Sequence, residues 1–355
     1  MNILVISLAG NGDTLLATPF IHELRANFPD ATIDALVRWP GAAGLLAGNP
    51  HLNNVYQKDF LKAGKLESLK FLMGLRARNY DVSINTHPQS RTLYRVIARA
   101  IGARKRLSHV YECSGWFDRW LVNSTVAQDY QKHTIDNNQD LLPLIGARPL
   151  LASHEMEIYF TREETDWAES FLTVRALTGR RRLGVHVGSG ETKNLPLKRW
   201  PLPNYVELFK RLNRERPDLS ILLFGGPQEA AAHDTILAAA AGGPTLIAET
   251  SSFRQTAALM KRCDAFLSVD TVLMHVAAAV KVPRQIVIEA FTLNPTNAPY
   301  GNPYKLVPNP AVAGRHLEFY RYDGRDIQGT DEELIRVMSS VTVDAVYKAV
   351  TEALP

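Results

Sequence analysis

Short apolar runs alternate with amphipathic segments along the first half of the chain. Ile3–Leu8 predicts a buried strand, and the segment from Leu15 to Pro29 has the periodicity of an amphipathic helix. The same alternation predicts two more strands and two more helices, at Thr32–Val37, Asp81–Asn85, Leu66–Arg78 and Thr92–Ile101. Apolar runs of this kind suit strands that are buried on both faces, so we expect a parallel sheet covered by helices.

A second series of strands and helices begins after Gly179. Its strands are predicted at Leu183–Gly188, Leu219–Phe224, Thr245–Ile247, Ala265–Val269 and Gln285–Ile288, and its helices at Leu202–Arg214, Gln228–Ala241, Phe253–Arg262 and from Thr271 onward. A chain of 355 residues also exceeds the length at which one core stops growing. We therefore predict an α/β protein of two doubly wound, Rossmann-like domains, residues 1–178 and 179–330, with the site in a central cleft between them. Residues 331–355 predict a C-terminal helix, which could pack back on either domain, and the N-terminal domain is the choice we predict.

Composition narrows the class of protein. Hydrophobic residues make up 46% and charged residues 21% of the chain, as is ordinary for a folded globular protein. The N-terminal apolar run is too short for a membrane span or for the apolar region of a signal peptide, so we expect a cytoplasmic protein. Cys113 and Cys263 lie far apart without CxxC spacing, which argues against a disulfide framework and against a cysteine-rich zinc site.

The positive charge is concentrated in one stretch. The net charge is only +4, but eight basic residues lie between Arg76 and Arg106. Among them Arg91, Arg95 and Arg99 have helical i, i+4 spacing, which predicts one basic face. Such a face could meet phosphates on a substrate or an anionic membrane surface, or it could simply be a solvated helix face. Nucleic acid is not the expected partner, because no aromatic-interleaved basic motif or helix-turn-helix pattern accompanies these charges.

The loop after the first predicted strand contains Gly10, Gly12 and Asp13. It lacks the third glycine of a dinucleotide fingerprint, because Leu15 stands at that position, and the chain has no P-loop motif. An NAD-dependent oxidoreductase is therefore disfavoured. Asp13 follows the strand, where its carboxylate could take a proton from an attacking hydroxyl. The alternative is that Asp13 only caps the next helix.

Two glycine-containing loops follow strands in the second half. Gly188, Ser189 and Gly190 could bring backbone amides close to a phosphate, with Lys198 supplying positive charge against a diphosphate. Phe224 and Gly225 end another strand, and Glu229 could bind ribose hydroxyls. A glutamate at the start of a helix also compensates the helix dipole, so this interpretation of Glu229 stays open.

Asp270 and Thr271 lie where a buried strand passes into an alanine-rich helix. Open α/β sheets bind ligands at this position. The first-turn amides of the helix could hold a phosphate and Asp270 could accept sugar hydroxyls, while Asp270 as a helix cap is the alternative. His275, one turn further on, is by itself more typical of a packed residue than of a catalyst.

Four motifs in order resemble one known family. They are the Leu-x-x-x-Gly-Asp opening that ends at Asp13 and precedes Pro19, the Gly188-Ser189-Gly190 loop with Lys198-Arg199-Trp200-Pro201, the Phe-Gly-Gly-Pro-x-Glu turn from Phe224, and the DTxLMHxAAA segment from Asp270. This set is similar to the ADP-heptose:lipopolysaccharide heptosyltransferases of glycosyltransferase family 9. The resemblance spans nearly the whole chain.

The resemblance implies a GT-B fold whose N-terminal domain binds the acceptor and whose C-terminal domain binds the nucleotide sugar. It implies an inverting, metal-independent transfer of heptose from ADP-heptose to a lipopolysaccharide core or a related phosphorylated glycolipid or glycan, without a cofactor. Asp13 would be the general base, and Gly12 and Arg91 would bind the acceptor. Lys198 would stabilise the leaving diphosphate. Glu229 would bind the ribose and Asp270 the donor sugar. Thr271 and Ser189 would bind the phosphates. Gly190, Phe224, Gly225 and His275 would complete the donor site, and the enzyme would contact the inner face of the inner membrane.

Two departures from the family pattern leave the donor open. Val272 stands where members usually carry glycine, and it would crowd the diphosphate if the backbone there needed a positive φ. The loop from Glu289 to Gly301 is longer and richer in proline than its counterparts. A relative that uses another nucleotide sugar for capsule, O-antigen or protein glycosylation is therefore the first alternative. An inactive glycan-binding or nucleotide-binding module is the second.

Overall fold

The computed structural model describes residues 1–190, 194–240, 243–321, 323 and 325–355. Contacts divide them into two compact units, Met1–Tyr159 with Asp323 and Arg325, and Phe160–Arg321 with Asp326–Pro355. The boundary therefore lies near residue 159 and not near 178 as predicted. The reason is helix α8 (Arg162–Val174), which packs against α11 (Phe253–Met260) of the second unit. Glu164 on α8 also accepts two hydrogen bonds from the Arg254 guanidinium, at 2.5 and 2.6 Å.

The first unit contains a parallel sheet, of which the described residues form six strands. They are β1 (Asn2–Ser7), β2 (Thr32–Val37), β3 (Asn54–Gln57), β4 (Val82–Asn85), β5 (Lys105–Val110) and β6 (Ser124–Ala127). Their order is β3-β2-β1-β4-β5-β6. The predicted β2 is confirmed residue for residue, and β1 and β4 are confirmed with small shifts of their ends. The pattern missed β3, β5 and β6, because each exposes side chains or begins with charged residues.

Helices cover both faces of this sheet. They are α1 (Asn11–Leu16), α2 (Thr18–Asn27), α3 (Pro40–Leu46), α4 (Lys65–Arg76), α5 (Thr92–Ile101), α6 (Trp116–Leu121) and α7 (Thr134–Gln139). The single helix predicted up to Pro29 is two helices that meet at Ala17. Pro19 suits the first turn of a new helix, where its missing amide is not needed.

The predicted basic face on α5 is wrong at Arg95. The α5 bounds are as predicted, but Arg95 is only 1% exposed. Its Nη1 atom donates to Asp118 Oδ1 at 3.0 Å, which fastens α6 to α5. A periodic pattern does not distinguish a solvated arginine from one that is buried with a partner, so only Arg91 and Arg99 of the three lie at the surface.

The second unit repeats the topology of the first. Its described strands are β7 (Arg181–His186), β8 (Leu219–Phe224), β9 (Thr245–Ile247), β10 (Ala265–Ser268), β11 (Gln285–Ile288) and β12 (Tyr304–Val307), in the parallel order β12-β11-β10-β7-β8-β9. The sheet does not close at β11 as expected, because β12 pairs along it. In each unit the direction of strand progression reverses once, between β1 and β4 and between β7 and β10. Doubly wound sheets bind ligands at the carboxyl ends of the strands at this switch point.

The C-terminal segment packs on the second unit and not on the first as predicted. The remaining helices of this unit are α9 (Leu202–Glu215), α10 (Ala230–Ala239), α12 (Val272–Ala279), α13 (His316–Phe319), α14 (Asp331–Ser339) and α15 (Val343–Ala353). Leu334 and Met338 of α14 and Val346 and Val350 of α15 are buried in the core around β7, β10 and α9. Burial of this apolar stripe fixes the segment there. No helix within the described ranges is long and apolar enough to cross a membrane.

Candidate active site

Asp13 lies in the first turn of α1, directly after β1. The alternative that Asp13 caps this helix is wrong, because the N-cap residue is Gly10. The carboxylate folds back over Gly10, and a Cβ atom at that position would lie 2.8 Å from Asp13 Oδ2. A larger residue there would therefore displace the Asp13 carboxylate from this position. The loop is also tied to β1, since the Thr14 hydroxyl lies 3.1 Å from the Ser7 hydroxyl and 3.1 Å from the Gly10 carbonyl oxygen.

A buried amide joins the ends of β1 and β4 at the first switch point. The side chain of Gln89 is 1% exposed, and its Oε1 atom accepts a hydrogen bond from the Leu8 amide at 2.9 Å. Its Nε2 atom donates to the carbonyl oxygens of Ile6 and Thr86. This contact positions the loop that leads to Arg91, the exposed N-cap residue of α5.

Two guanidinium groups border an apolar pocket in the first unit. The pocket is lined by Leu8, Arg38, Phe60, Leu61, Arg91, Leu93, Tyr94 and Ile97. Burial raises the pKa of Tyr94, while Arg91 and Arg38 act to lower it and Asp13 to raise it further. These three charges therefore all act on the Tyr94 hydroxyl. Arg38 was not singled out by the sequence, and it is held by Asp59 at 2.9 Å and rests on the Trp39 ring.

In the second unit, Lys198 and Asp270 form a buried ion pair. Lys198 Nζ lies 3.3 Å from Asp270 Oδ2, and the two residues are 6% and 3% exposed. The same carboxylate oxygen accepts a hydrogen bond from the Thr292 hydroxyl at 2.8 Å. Asp270 is therefore not the cap of α12; the N-cap residue is Thr271. A lysine ammonium has three donor protons, so this pair leaves Lys198 with further capacity to bind an anion.

Thr271 is linked to Glu229 through His186, the last residue of β7. The Thr271 hydroxyl does not cap α12. It lies 3.1 Å from His186 Nδ1. The other ring nitrogen of His186 lies 4.0 Å from Glu229 Oε1. Burial lowers the pKa of His186 to about 3, and His233, Arg199 and Lys198 act in the same direction. The ring is therefore neutral at physiological pH, and it can donate at one nitrogen and accept at the other.

Glu229 packs onto the backbone of the glycine loops. Its Oε2 atom accepts a hydrogen bond from the Gly226 amide at 2.8 Å, so its role in capping the next helical turn is real. A Cβ atom at Gly188 would lie 2.1 Å from Glu229 Oε1. A Cβ atom at Gly225 would lie 3.0 Å from Glu229 Cβ. These two glycines are needed for the close approach of the carboxylate, which leaves Oε1 facing the end of β7.

The Ser189 hydroxyl has structural partners. It donates to the Leu195 carbonyl oxygen at 2.9 Å and accepts from Arg199 Nε at 3.0 Å. The hydroxyl therefore holds the loop in shape, and the backbone amides of Ser189 and Gly190 are the groups that could contact a phosphate. Phe224 is fully buried against Phe266, so its side chain supports the sheet.

Val272 is the first residue of α12 and is partly exposed. It is not among the described residues with positive φ, so the backbone there has no need of glycine. His275 is buried one turn further along α12. The long loop after β11 is ordered by its own polar side chains: the side-chain amides of Asn294 and Asn297 donate to the Thr292 carbonyl oxygen, each at 3.2 Å. This loop delivers Thr292 to Asp270.

The sequence missed His186, Thr292, Arg199 and Arg38 as residues of these sites. His186 had a detectable signal, since a histidine at the end of an otherwise apolar strand is uncommon. Thr292 had none, because its position depends on how the loop after β11 folds. The predicted donor residues do lie together at the carboxyl ends of β7, β8 and β10.

One further cluster among the described residues has metal-ligating side chains. It consists of His22, His51 and Glu157 in the first unit. The two imidazole rings are stacked, with centroids 3.8 Å apart and planes inclined by 16°. Lone pairs of imidazole lie in the ring plane, so parallel rings do not aim both nitrogens at one ion. Glu157 instead bonds His22 at 2.8 Å and accepts from the Tyr159 hydroxyl at 2.9 Å.

Comparison with known proteins identifies the family of the chain. Residues 68–307, well over half of the chain, match the profile of glycosyltransferase family 9 (heptosyltransferase). The chain belongs to this family. It is therefore a glycosyltransferase, and the family resemblance seen in its four motifs is confirmed.

Relatives of this family 9 enzyme cover most of its length. It is 27% identical over 281 residues to lipopolysaccharide heptosyltransferase 3 of Escherichia coli strain K12, covering 77% of this chain and 78% of the relative. The structure of a family 9 glycosyl transferase from Veillonella parvula superposes with a TM-score of 0.79 at 22% identity, covering 99% and 97% of the two chains. The E. coli ADP-heptose lps heptosyltransferase II superposes with a TM-score of 0.72 at 21% identity, covering 100% and 98%. The predicted GT-B fold class is confirmed.

Proposed function

We propose that the protein transfers heptose from ADP-heptose to a lipopolysaccharide core. The observation that carries this proposal is the buried group of Lys198, Asp270 and Thr292 at the switch point of the second sheet. It offers a cation for a diphosphate beside a carboxylate for sugar hydroxyls. The names of the relatives support the substrate class, since they describe lipopolysaccharide heptosyltransferases, one of them with ADP-heptose.

In this proposal the second unit binds the donor. Lys198 contacts the diphosphate, together with the amides of Thr271 at the start of α12 and of Ser189 and Gly190. Glu229 Oε1 accepts a hydrogen bond from a ribose hydroxyl, and the Asp270 carboxylate accepts one from a hydroxyl of the donor sugar. The other donor residues, which shape the site around these contacts, are Phe224, Gly225 and His275.

The first unit would bind the acceptor near Asp13. Asp13 takes the proton from an acceptor hydroxyl as that oxygen attacks the anomeric carbon, and the bond between this carbon and the diphosphate oxygen breaks. Attack from the side opposite the leaving group inverts the configuration. Negative charge develops on the departing ADP, and Lys198 with the α12 amides stabilises it without a divalent ion.

Arg91 and Gly12 belong to the acceptor side of the proposal, and Arg38 joins them. Tyr94 lines the pocket that the two arginines border, and burial raises its pKa, with the Asp13 charge acting in the same direction. Guanidinium groups bind phosphate oxygens through two parallel hydrogen bonds. We therefore propose a phosphorylated glycolipid as acceptor, met by an otherwise cytoplasmic protein at the inner face of the inner membrane.

A second candidate is transfer from another nucleotide sugar. The side chain of Val272 is partly exposed at the first residue of α12, next to Thr271. The loop after β11 contributes Thr292 to the Asp270 carboxylate. Both features change the surroundings of the sugar, whereas the diphosphate contacts through Lys198 would serve either donor.

A panel of nucleotide sugars in a thermal-shift assay separates the two candidates. Ligands that bind only the folded state raise the melting temperature. We expect ADP-heptose to stabilise the protein more than ADP alone, UDP-sugars or GDP-sugars do. Stabilisation by a different nucleotide sugar, with none from ADP-heptose, would support the second candidate and overturn the first.

Asp13→Asn tests the chemistry independently of binding. We expect this variant to keep the ADP-heptose thermal shift while its transfer rate falls by about 10²-fold to 10⁴-fold, because a general base contributes on that scale. Asp30→Asn, an exposed carboxylate of the same unit, is the matched control and should transfer normally. Full activity of Asp13→Asn would remove Asp13 from the mechanism.

A further inference from the structure

The first unit exposes large apolar side chains on neighbouring helices. On α6, Trp116 is 80%, Phe117 42% and Trp120 59% exposed. On α4, Leu66, Leu69 and Met73 are 84%, 55% and 54% exposed, and their i, i+3, i+7 spacing places them on one stripe of the helix. We call these six side chains the apolar face. Exposed apolar groups of this size mark an interaction surface, whereas single exposed residues need no explanation.

The aromatic residues of α6 are presented on a firmly anchored helix. Asp118 accepts hydrogen bonds from Arg95 Nη1 at 3.0 Å and from the Gly115 amide at 3.1 Å. Leu121 at the other end of α6 is buried. The buried side of this short helix therefore holds it in place while its three aromatic side chains face outward. Helix α5, which contacts both α4 and α6, exposes Val96 and Arg99, and the Arg99 guanidinium lies 5.4 Å from the centre of the Trp120 ring.

The same part of the chain carries the excess of positive charge. Residues 61–120 contain twelve Lys and Arg against four Asp and Glu, an excess of eight, whereas the whole chain has an excess of four. Exposed basic residues lie on or beside all three helices, among them Lys65, Lys70, Arg99 and Arg119. All four acidic side chains are paired within the unit: Glu67 with Lys58, Asp118 with Arg95, Asp81 with Arg104 and Glu112 with Arg325.

We infer that the apolar face docks onto an anionic lipid bilayer, with the side chains of Trp116, Phe117 and Trp120 inserted at the level of the lipid headgroups. Tryptophan is favoured at the membrane interface because its ring is apolar and its N–H group is polar. Basic residues around the inserted side chains are attracted to anionic headgroups. A symmetric dimer through this face is the less favoured occupant, because a two-fold contact would bring the same positive surface of each copy together.

This docking would bring the acceptor pocket to the membrane. Leu61 and Leu93, which line the pocket, are themselves exposed, and Leu93 lies on α5. The inference rests on the proposed function only for the identity of the acceptor, a glycolipid embedded in the same bilayer. Binding to lipid in the absence of donor and acceptor depends on the apolar face alone. The docking inference and the proposed function can therefore fail separately.

Sedimentation with vesicles tests the inference. We expect the full chain to bind vesicles of phosphatidylethanolamine with phosphatidylglycerol, and to bind vesicles of phosphatidylcholine alone at least about fivefold more weakly, because each basic residue near an anionic surface contributes on that scale. Trp116→Ser with Trp120→Ser should reduce binding to the anionic vesicles by about tenfold or more. The matched control is Val174→Ser with Ile335→Ser, which removes two exposed apolar side chains from the second unit and should bind as the unaltered protein does.

Two further measurements keep the result interpretable. If the tryptophan variant does not fold, Leu66→Ser with Leu69→Ser removes exposed side chains of α4 and should weaken vesicle binding in the same way. Light scattering gives the oligomeric state of each variant. Equal vesicle binding by all variants would overturn the inference. So would an unaltered protein that binds no vesicles but forms a dimer that the variants of the apolar face do not form.

Transfer assays separate docking from catalysis. With a deacylated, water-soluble acceptor, the Trp116→Ser, Trp120→Ser variant should be as active as the unaltered protein, whereas with acceptor in vesicles it should be slower by about tenfold. Equal loss with both acceptors would contradict a docking role for these side chains. Failure of every protein to act on either acceptor, with vesicle binding as expected, would reject the proposed function and leave the docking surface intact.

Discussion

Lys198 Nζ lies 3.3 Å from Asp270 Oδ2, and both side chains are almost completely buried. The pair joins the turn before α9 to the carboxyl end of β10. An ion pair withdrawn from water gains little net stability, but removing one partner leaves a buried charge without compensation. Replacing one partner should therefore destabilise the fold strongly, whereas replacing both should destabilise it much less.

Lys198→Met or Asp270→Leu alone should lower the free energy of unfolding by about 3–5 kcal/mol, because each leaves the other charge buried. The double variant should recover most of that loss in urea unfolding while remaining inactive, since the cation for the diphosphate is gone. Lys305→Met is the control: its pair with Glu352 is exposed, and its loss should cost less than about 1 kcal/mol. Additive losses in the double variant would show that the two charges do not depend on each other.

Thr292→Val tests the hydrogen bond to the same carboxylate. The substitution keeps the branched shape and removes the hydroxyl that donates to Asp270 Oδ2 at 2.8 Å. We expect KM for the donor to rise about tenfold to a hundredfold with kcat changed little, because a hydrogen bond to a charged group contributes about 1.5–3 kcal/mol. Thr351→Val, at a partly exposed position on α15 in the second unit, should leave both constants unchanged. A fall in kcat at constant KM would assign Thr292 a role in the transition state instead.

Gly188→Ala should weaken donor binding, whereas Gly74→Ala should stabilise the fold. A Cβ atom at position 188 would lie 2.1 Å from Glu229 Oε1, so the carboxylate must move and donor affinity should fall. At Gly74, in the last turn of α4, nothing lies within 4 Å of an added Cβ atom, and alanine should raise the free energy of unfolding by about 0.5–1 kcal/mol. Thermal unfolding with and without ADP measures both changes. An unchanged ADP shift in Gly188→Ala would show that the position of Glu229 does not matter for the nucleotide.

Buried histidines make the fold sensitive to acid. Burial lowers the pKa of His186 to about 3, of His109 to about 4 and of His87 well below its ordinary value. In the unfolded chain these rings take up protons below about pH 6.5, whereas in the folded state they stay neutral. The unfolded state then binds more protons, so the free energy of unfolding falls as the pH is lowered from 6.5 towards 4.

Urea unfolding from neutral pH down to about pH 5 measures this dependence, with each neutral buried histidine changing the folding equilibrium about tenfold per pH unit. His109→Gln removes one of these groups and should make the pH dependence shallower by about that amount. A profile that is flat below pH 6.5 in the unaltered protein would contradict the burial of neutral rings.

The strands of the two sheets were largely predictable because each central strand is buried on both faces. The bounds of β2, β8, β9, β11 and α5 match the prediction residue for residue. Of the edge strands, β9 was predicted but β3 and β6 were not, since half of the side chains of β3 and β6 face solvent and their pattern resembles that of a loop. The same limit applies to Arg95, whose spacing on α5 was visible but whose burial against Asp118 depends on a helix one loop away.

The positions of Asp13, Ser189, Glu229 and Asp270 were predictable because each follows a strand, and the carboxyl ends of parallel strands share one edge of a sheet. Their roles in catalysis and binding stay predictions until the variants are measured. Local sequence thus sufficed wherever the chain buries a continuous apolar run or ends a strand, since backbone hydrogen bonding and apolar burial act over a few neighbouring residues. Tertiary packing decided the rest: it brought Thr292 and Lys198 to Asp270, inserted His186 between Thr271 and Glu229, and packed α14 and α15 on the second unit, because these contacts join residues far apart in the chain.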